Sequence, residues 1–227
     1  MEPGVGIKPT SLASAIRHDF WAGRQIITLI YARGGMGKSS YAIQTMKQLY
    51  EGDEWRKWIV WSPEQFMDRI EYLVMKEERV PVLTVDDASK IFFYMNYHEK
   101  ATQEILNWVG LARTRITCLI LTTQVPGLLL RPMRDWEGIL KGKVTFGKGA
   151  TNLRNITFFE VNVTPYDKKY KNPVIEDVGW NVLLPDRDFE WYQSERQKML
   201  DTQSMEMISN IRKKRSIPPP IPNLGSS

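Results

Sequence analysis

The residues whose types and spacing could do chemistry gather in one short stretch, Ala32-Arg33-Gly34-Gly35-Met36-Gly37-Lys38-Ser39-Ser40. Its glycines let a backbone curl until successive N–H groups point inward, a concavity that suits anionic oxygens. A helix opening from Ser39 or Ser40 would turn its positive end toward the same anion. Lys38 adds a cation on a long stem, and the Ser39 hydroxyl adds a hard oxygen of the kind a divalent ion takes. The implied chemistry is the holding of phosphate. A second candidate is the carboxylate pair Asp86-Asp87, which closes the apolar run Val80-Pro81-Val82-Leu83-Thr84-Val85. Taken alone, such a pair reads first as a helix cap after an ordinary strand. The third is the polar end of Ile116-Thr117-Cys118-Leu119-Ile120-Leu121-Thr122-Thr123-Gln124, with Gln124 preferred and Thr123 behind it.

These groups need elements to position them. The β-branched run Ile26-Ile27-Thr28-Leu29-Ile30 predicts a buried strand before the glycines, and a helix over 39–50 follows, ended by Glu51-Gly52-Asp53. Trp58-Ile59-Val60-Trp61 predicts a short strand. Ser62-Pro63-Glu64-Gln65 then has the cap, proline and acid of a helix start, with Phe66, Ile70, Leu73 and Val74 on one face. Strands are expected over 80–85 and 116–124, at Lys143-Val144-Thr145-Phe146 and over 156–163. Residues 89–113 read as a helix or broken helix pair. There Phe92, Phe93, Tyr94 and Met95 could stack bases or, more commonly, pack. Residues 11–21 could form a turn or two of helix capped by Ser11, in an arm that lies against a ligand, a neighbouring subunit or its own domain.

The strand, glycine loop and helix with Lys38-Ser39 resemble the phosphate-binding loop of P-loop NTPases, with Ala32 at the position of the usual first glycine. The resemblance implies that residues 32–40 bind ATP, that Lys38 reaches the β- and γ-phosphates and that Ser39 ligates Mg²⁺. The run into Asp86-Asp87 is similar to a Walker B strand. Asp86 would then hold the Mg²⁺ shell and Asp87 would orient the attacking water. A strand ending in Asp-Asp resembles DnaA and the DnaC- or IstB-like loaders of the AAA+ class. Thr122-Thr123-Gln124-Val125-Pro126 instead resembles the strand end of HerA/FtsK-type translocases and packaging ATPases. By the first resemblance, an arginine before the fifth strand would reach a neighbour's γ-phosphate. Arg134 fits that place best, with Arg131 also in the segment; a surface pair of Arg134 with Asp135 is the plainer reading. The implied fold is α/β, a three-layer parallel sheet of order 5-1-4-3-2 with a C-terminal β-ribbon and helix. The overall look is similar to small stand-alone ATPases of archaeal viruses and plasmids.

The 227 residues divide on this reading into an arm (1–24), an ATPase core (25–147), a basic β-rich extension (148–186), a helix (187–215) and a Pro-rich tail (216–227). An apolar content of 42 % supports a core and argues against wholesale disorder. One cysteine excludes an internal disulfide, and two histidines argue against zinc. No apolar run approaches a membrane span and no signal-peptide core opens the chain, so a cytoplasmic protein, in a host cell if viral, is expected. The net charge of +5 leans toward an anionic partner. Residues 141–171 carry seven basic and two acidic side chains and, with Arg212-Lys213-Lys214-Arg215, could contact DNA or simply be solvated. The expected activity is Mg-dependent ATP hydrolysis by a homo-oligomer on DNA, in replication initiation or helicase loading. A packaging or translocating ATPase and a nucleotide switch with little turnover are the alternatives.

Overall fold

The computed structural model describes residues 9–93, 103, 107, 109–110, 112–135, 138–149, 151–163 and 169–216. Seven strands form one sheet: β1 (Ile26–Tyr31), β2 (Ile59–Val60), β3 (Val80–Val85), β4 (Ile116–Thr123), β5 (Leu140–Phe146), β6 (Leu153–Val163) and β7 (Lys169–Asn181). Their order is β2-β3-β4-β1-β5-β6-β7. The first five are mutually parallel, so the expected order 5-1-4-3-2 is found. β4 is buried at every position, which is why its sequence runs apolar without alternation: both of its faces are covered.

The C-terminal ribbon continues the same sheet. β6 pairs antiparallel with β5, and β7 with β6. β7 has no clear sequence signature, because it is charge-rich and carries Pro173, a residue suited to a sheet edge.

Named helices are α1 (Ser11–Trp21), α2 (Lys38–Lys47), α3 (Pro63–Met75), α4 (Arg131–Asp135) and α5 (Asp186–Ser216). Right-handed crossovers place α2, which leads from β1 out to β2, on one face of the sheet. They place α3 and α4, whose connections step back across the sheet, on the other. α1 packs with α2 on β3, β4 and β7. On the opposite face Phe66 of α3 meets Phe92 edge-on at 5.9 Å. The result is three layers.

Several local expectations are corrected. Thr10, not Ser11, caps α1, accepting from the Ala13 N–H at 3.2 Å. Ser11 is instead bound to Asp177 of β7, its hydroxyl donating at 2.6 Å and its N–H donating to both carboxylate oxygens. Val74 is 42 % exposed, leaving Phe66, Ile70 and Leu73 as the buried face of α3. The strand expected at 58–61 is only two residues long, because Glu54–Trp58 wind into a 3₁₀ turn before it. Phe92 is fully buried, a packing role, while Tyr94 and Met95 lie outside the described residues.

The chain divides into two compact units, Met1–Leu184 and Pro185–Ser227. The second contains α5, whose first turn carries Asp186 and Asp188, the charge sign a helix N-terminus favours. The side chains of Arg212 to Arg215 and residues 217–227 of the Pro-rich tail lie outside the described residues. Among the described residues, no helix is long and apolar enough to cross a membrane.

Candidate phosphate-binding site

β1 is the middle strand of the seven, between β4 and β5, and the glycine loop leaves its C-terminal end. Ala32 N–H donates to Thr123 O at 3.4 Å, holding the start of the loop to the end of β4. Gly35 and Gly37 have φ of +72° and +91°, the left-handed region that side chains disfavour. Gly37 is also the N-cap of α2, and no side chain caps that helix. Its first turn is therefore turned toward the hollow of the loop, the arrangement that suits an anion. Lys38 Nζ folds back over the loop and donates to Arg33 O at 3.1 Å.

Beneath the loop lies a buried carboxylate. Asp86, just past β3, is 3 % exposed. Ser39 Oγ donates to its Oδ1 at 2.6 Å, Thr122 Oγ1 donates to the same oxygen at 2.7 Å, and Trp61 Nε1 donates to Oδ2 at 3.3 Å. Three strand ends and the first turn of α2 thus converge on one group. The backbone N–H of Asp87 donates to Thr122 Oγ1 at 2.9 Å, so the same threonine fixes both aspartates. Asp87 has φ +55°, a conformation that aspartate tolerates better than most side chains, and its Oδ1 accepts from Ser89 Oγ at 3.2 Å.

Lys38, Ser39 and Asp86 are thus brought to one place. Gln124 flanks the loop: a β-carbon at Gly34 would stand 3.7 Å from Gln124 Oε1. Thr123, the second choice, turns its hydroxyl into its own turn, accepting from Val125 N–H at 3.3 Å. Arg134 lies on α4 and donates to Gly127 O at 3.4 Å. Arg131 is exposed, and the side chain of Asp135 lies outside the described residues. Arg154, counted above in the basic stretch, is 8 % exposed, so its charge does not face a surface partner.

Two residues of the site were not singled out from sequence. Thr122 stood next to the residues chosen in β4, and only the side-chain alternation of that strand against β3 could have selected it. Trp61 gave no signal, since a tryptophan beside a short strand reads as core.

The residues present fit the magnesium ion that the resemblance implies. Ser39 Oγ and Asp86 supply two hard oxygens 2.6 Å apart, and Mg²⁺ is usually held by one or two protein oxygens with phosphate and water completing the shell. Among the described residues no cluster of three or more His, Cys, Asp or Glu side chains offers a site that would work without phosphate.

The fold is α/β and similar to that of P-loop NTPases, by strand order and by the place of the glycine loop at the end of β1. No family model and no curated protein matches the chain. Among solved structures, it is similar to the N-terminal domain of zonular occludens toxin from Neisseria meningitidis. The identity is 16 %, the TM-score 0.42, and the match covers 68 % of this chain and 95 % of that one. It is also similar to the genome packaging NTPase B204 from Sulfolobus turreted icosahedral virus 2, solved in complex with ATP-γS. There the identity is 18 %, the TM-score 0.37, and the coverage 67 % of this chain and 99 % of the other. These are remote likenesses, and the functional reading rests on the site's own residues.

Proposed function

We propose that this chain binds and hydrolyses ATP with Mg²⁺, as an oligomeric ATPase associated with DNA in replication initiation or helicase loading. One observation carries the nucleotide reading: the Ser39 hydroxyl lies 2.6 Å from the buried Asp86 carboxylate, directly under a glycine loop that also supplies Lys38. A buried carboxylate facing a helix N-terminus is a poor anion site by itself. With a divalent cation between it and a phosphate, the charges balance.

Residues 32–40 cradle the triphosphate, Lys38 exchanges Arg33 O for phosphate oxygens, and Ser39 and Asp86 hold the metal shell. The bound ion would neutralise charge developing on the transferred phosphoryl group. Asp87 orients the attacking water and Gln124, beside the loop, senses the γ-phosphate. Arg134, on the partly exposed α4, serves a neighbouring subunit. The exposed Lys143 and Lys148 support contact with DNA phosphates.

The test is ATP hydrolysis with and without single- and double-stranded DNA over a range of protein concentrations. Stimulation by DNA, with turnover per subunit rising with concentration, supports the proposal. Slow turnover indifferent to both supports a nucleotide switch. A second motor reading, DNA packaging or translocation, is favoured by Thr122-Thr123-Gln124 at the end of β4, where Thr122 donates to Asp86 and Gln124 lies beside the loop. Translocation against load distinguishes it.

A further inference from the structure

We propose that Phe146 is the stacking platform for the base of the nucleotide whose phosphates the glycine loop holds, with Arg154 fixing the ring from behind. The inference rests on the nucleotide reading above and assigns the part of the site that reading leaves open.

The position of Phe146 follows from register. β5 runs parallel beside β1, and the last paired residues are Tyr31 and Lys143. The loop departs just beyond Tyr31, but β5 continues three residues further, about 10 Å at ~3.3 Å per residue. Phe146 therefore stands at the level of the loop, on the side where the sheet goes on into β6 and β7.

Its face follows from alternation. A β-carbon at Gly142 would lie 2.4 Å from Phe158 Cε1, so that side of β5 looks toward Phe158. Phe158 in turn packs on Tyr41 of α2, with ring centroids 5.7 Å apart. Val144, two residues on, is buried on the same side, and Phe146 is the next in the row. The row is core at Gly142 and Val144, yet Phe146 is 69 % exposed. A large apolar ring at the open end of a core stripe, on the α2 face, is available to a ligand.

Two neighbours connect it to the loop. Across the strands Phe146 pairs with Arg154, and Arg154 with Trp180. Trp180 packs edge-on against Tyr41 at 5.1 Å, and its Cη2 would lie 3.2 Å from a β-carbon on Gly37. The row Phe146-Arg154-Trp180 thus ends against the last glycine of the phosphate loop. Arg154 Cζ lies 4.6 Å from the centroid of the Phe146 ring, and its guanidinium is held by Thr151 O at 2.6 Å and Leu153 O at 2.8 Å. A buried, backbone-anchored cation stacked on an exposed aromatic ring orders the ring before any ligand arrives. Stacking rewards ring area, so the wider purine is the base it suits.

The test compares Mg-ATP with inorganic tripolyphosphate, which offers the phosphates and no base, by isothermal titration of the full chain. Wild type should bind ATP more tightly than tripolyphosphate. Phe146→Ala should weaken ATP roughly tenfold or more, as loss of one base–aromatic stack does. The same variant should leave tripolyphosphate binding unchanged, and Phe146→Tyr should keep ATP affinity. Equal loss for both ligands, no loss for ATP, or a wild type that binds the two alike would overturn the platform while leaving the phosphate site intact. A wild type that binds neither ligand would overturn both readings.

Discussion

Ser39 and Asp86 are 47 residues apart in the chain and joined by a 2.6 Å hydrogen bond, hydroxyl to carboxylate, beneath the loop that carries Lys38. That bond ties the first turn of α2 to the end of β3. Because Thr122 and Trp61 also donate to Asp86, its two oxygens are oriented before any ligand is present.

Lys38→Ala should abolish nucleotide binding or turnover, since the loop loses the cation that faces phosphate. The fold should survive, because Lys38 Nζ reaches across the exposed surface of the loop, where it donates to Arg33 O. Titration with ATP checks the first expectation and thermal unfolding the second. Unchanged hydrolysis would remove the phosphate-loop assignment.

Asp87→Asn should retain ATP binding and lower hydrolysis by about 10²-fold or more, as expected when a group that positions or activates water is neutralised. Single-turnover hydrolysis beside equilibrium binding separates the two effects. If binding disappears with turnover, the roles given to Asp86 and Asp87 are exchanged.

Trp61→Phe removes the donor to Asp86 Oδ2 and keeps most of the ring volume. A group that orients a metal-holding carboxylate typically contributes about 10- to 100-fold to metal affinity or activity. The expected result is a higher Mg²⁺ requirement for hydrolysis with ATP affinity at saturating Mg²⁺ little changed. The dependence of rate on Mg²⁺ concentration measures it. An unaltered dependence would make Trp61 a packing residue only.

Asp177 joins three elements: it accepts from the N–H and hydroxyl of Ser11 at the start of α1, and from the Tyr41 hydroxyl on α2. Asp177→Ala should destabilise the first unit by about 2–4 kcal/mol, because buried donors lose a charged partner. α1 should become the first site of limited proteolysis. A melting temperature within a degree of wild type would contradict this account.

Burial pushes the Cys118 thiol up to about 12 from its ordinary 9.0. Desolvation is the main cause, with the Thr28 hydroxyl acting the other way. The sign is that of a raised acid: the neutral thiol's stabilisation is complete below pH 9, where the unfolded chain also holds its proton. It is lost as pH rises from 9 toward 12, where only the unfolded chain ionises. Denaturant midpoints should therefore fall above pH 9, and Cys118→Ala should show a smaller fall between pH 9 and 10, before the unfolded tyrosines ionise. Tyr41 and Tyr50, also raised by burial, add to the loss above pH 10 in both proteins.

The glycine loop and the strands around it were legible in the sequence by itself, because they depend on local rules, whereas the strand order came only as what the resemblance to ATPases implied. Glycine at positive φ, an apolar run for a strand buried on both faces, and a carboxylate at its end are each legible within a few residues. What it left undecided depended on contacts between distant segments. Ser11 looked like a cap and is a ligand of Asp177, 166 residues away. Trp61 looked like core and holds Asp86. Arg154 looked like one charge in a basic surface stretch and lies buried behind Phe146. Only tertiary structure decides such matters, because strand register and crossover direction fix which side chains share a face. Neither is encoded at a spacing that can be read along the chain.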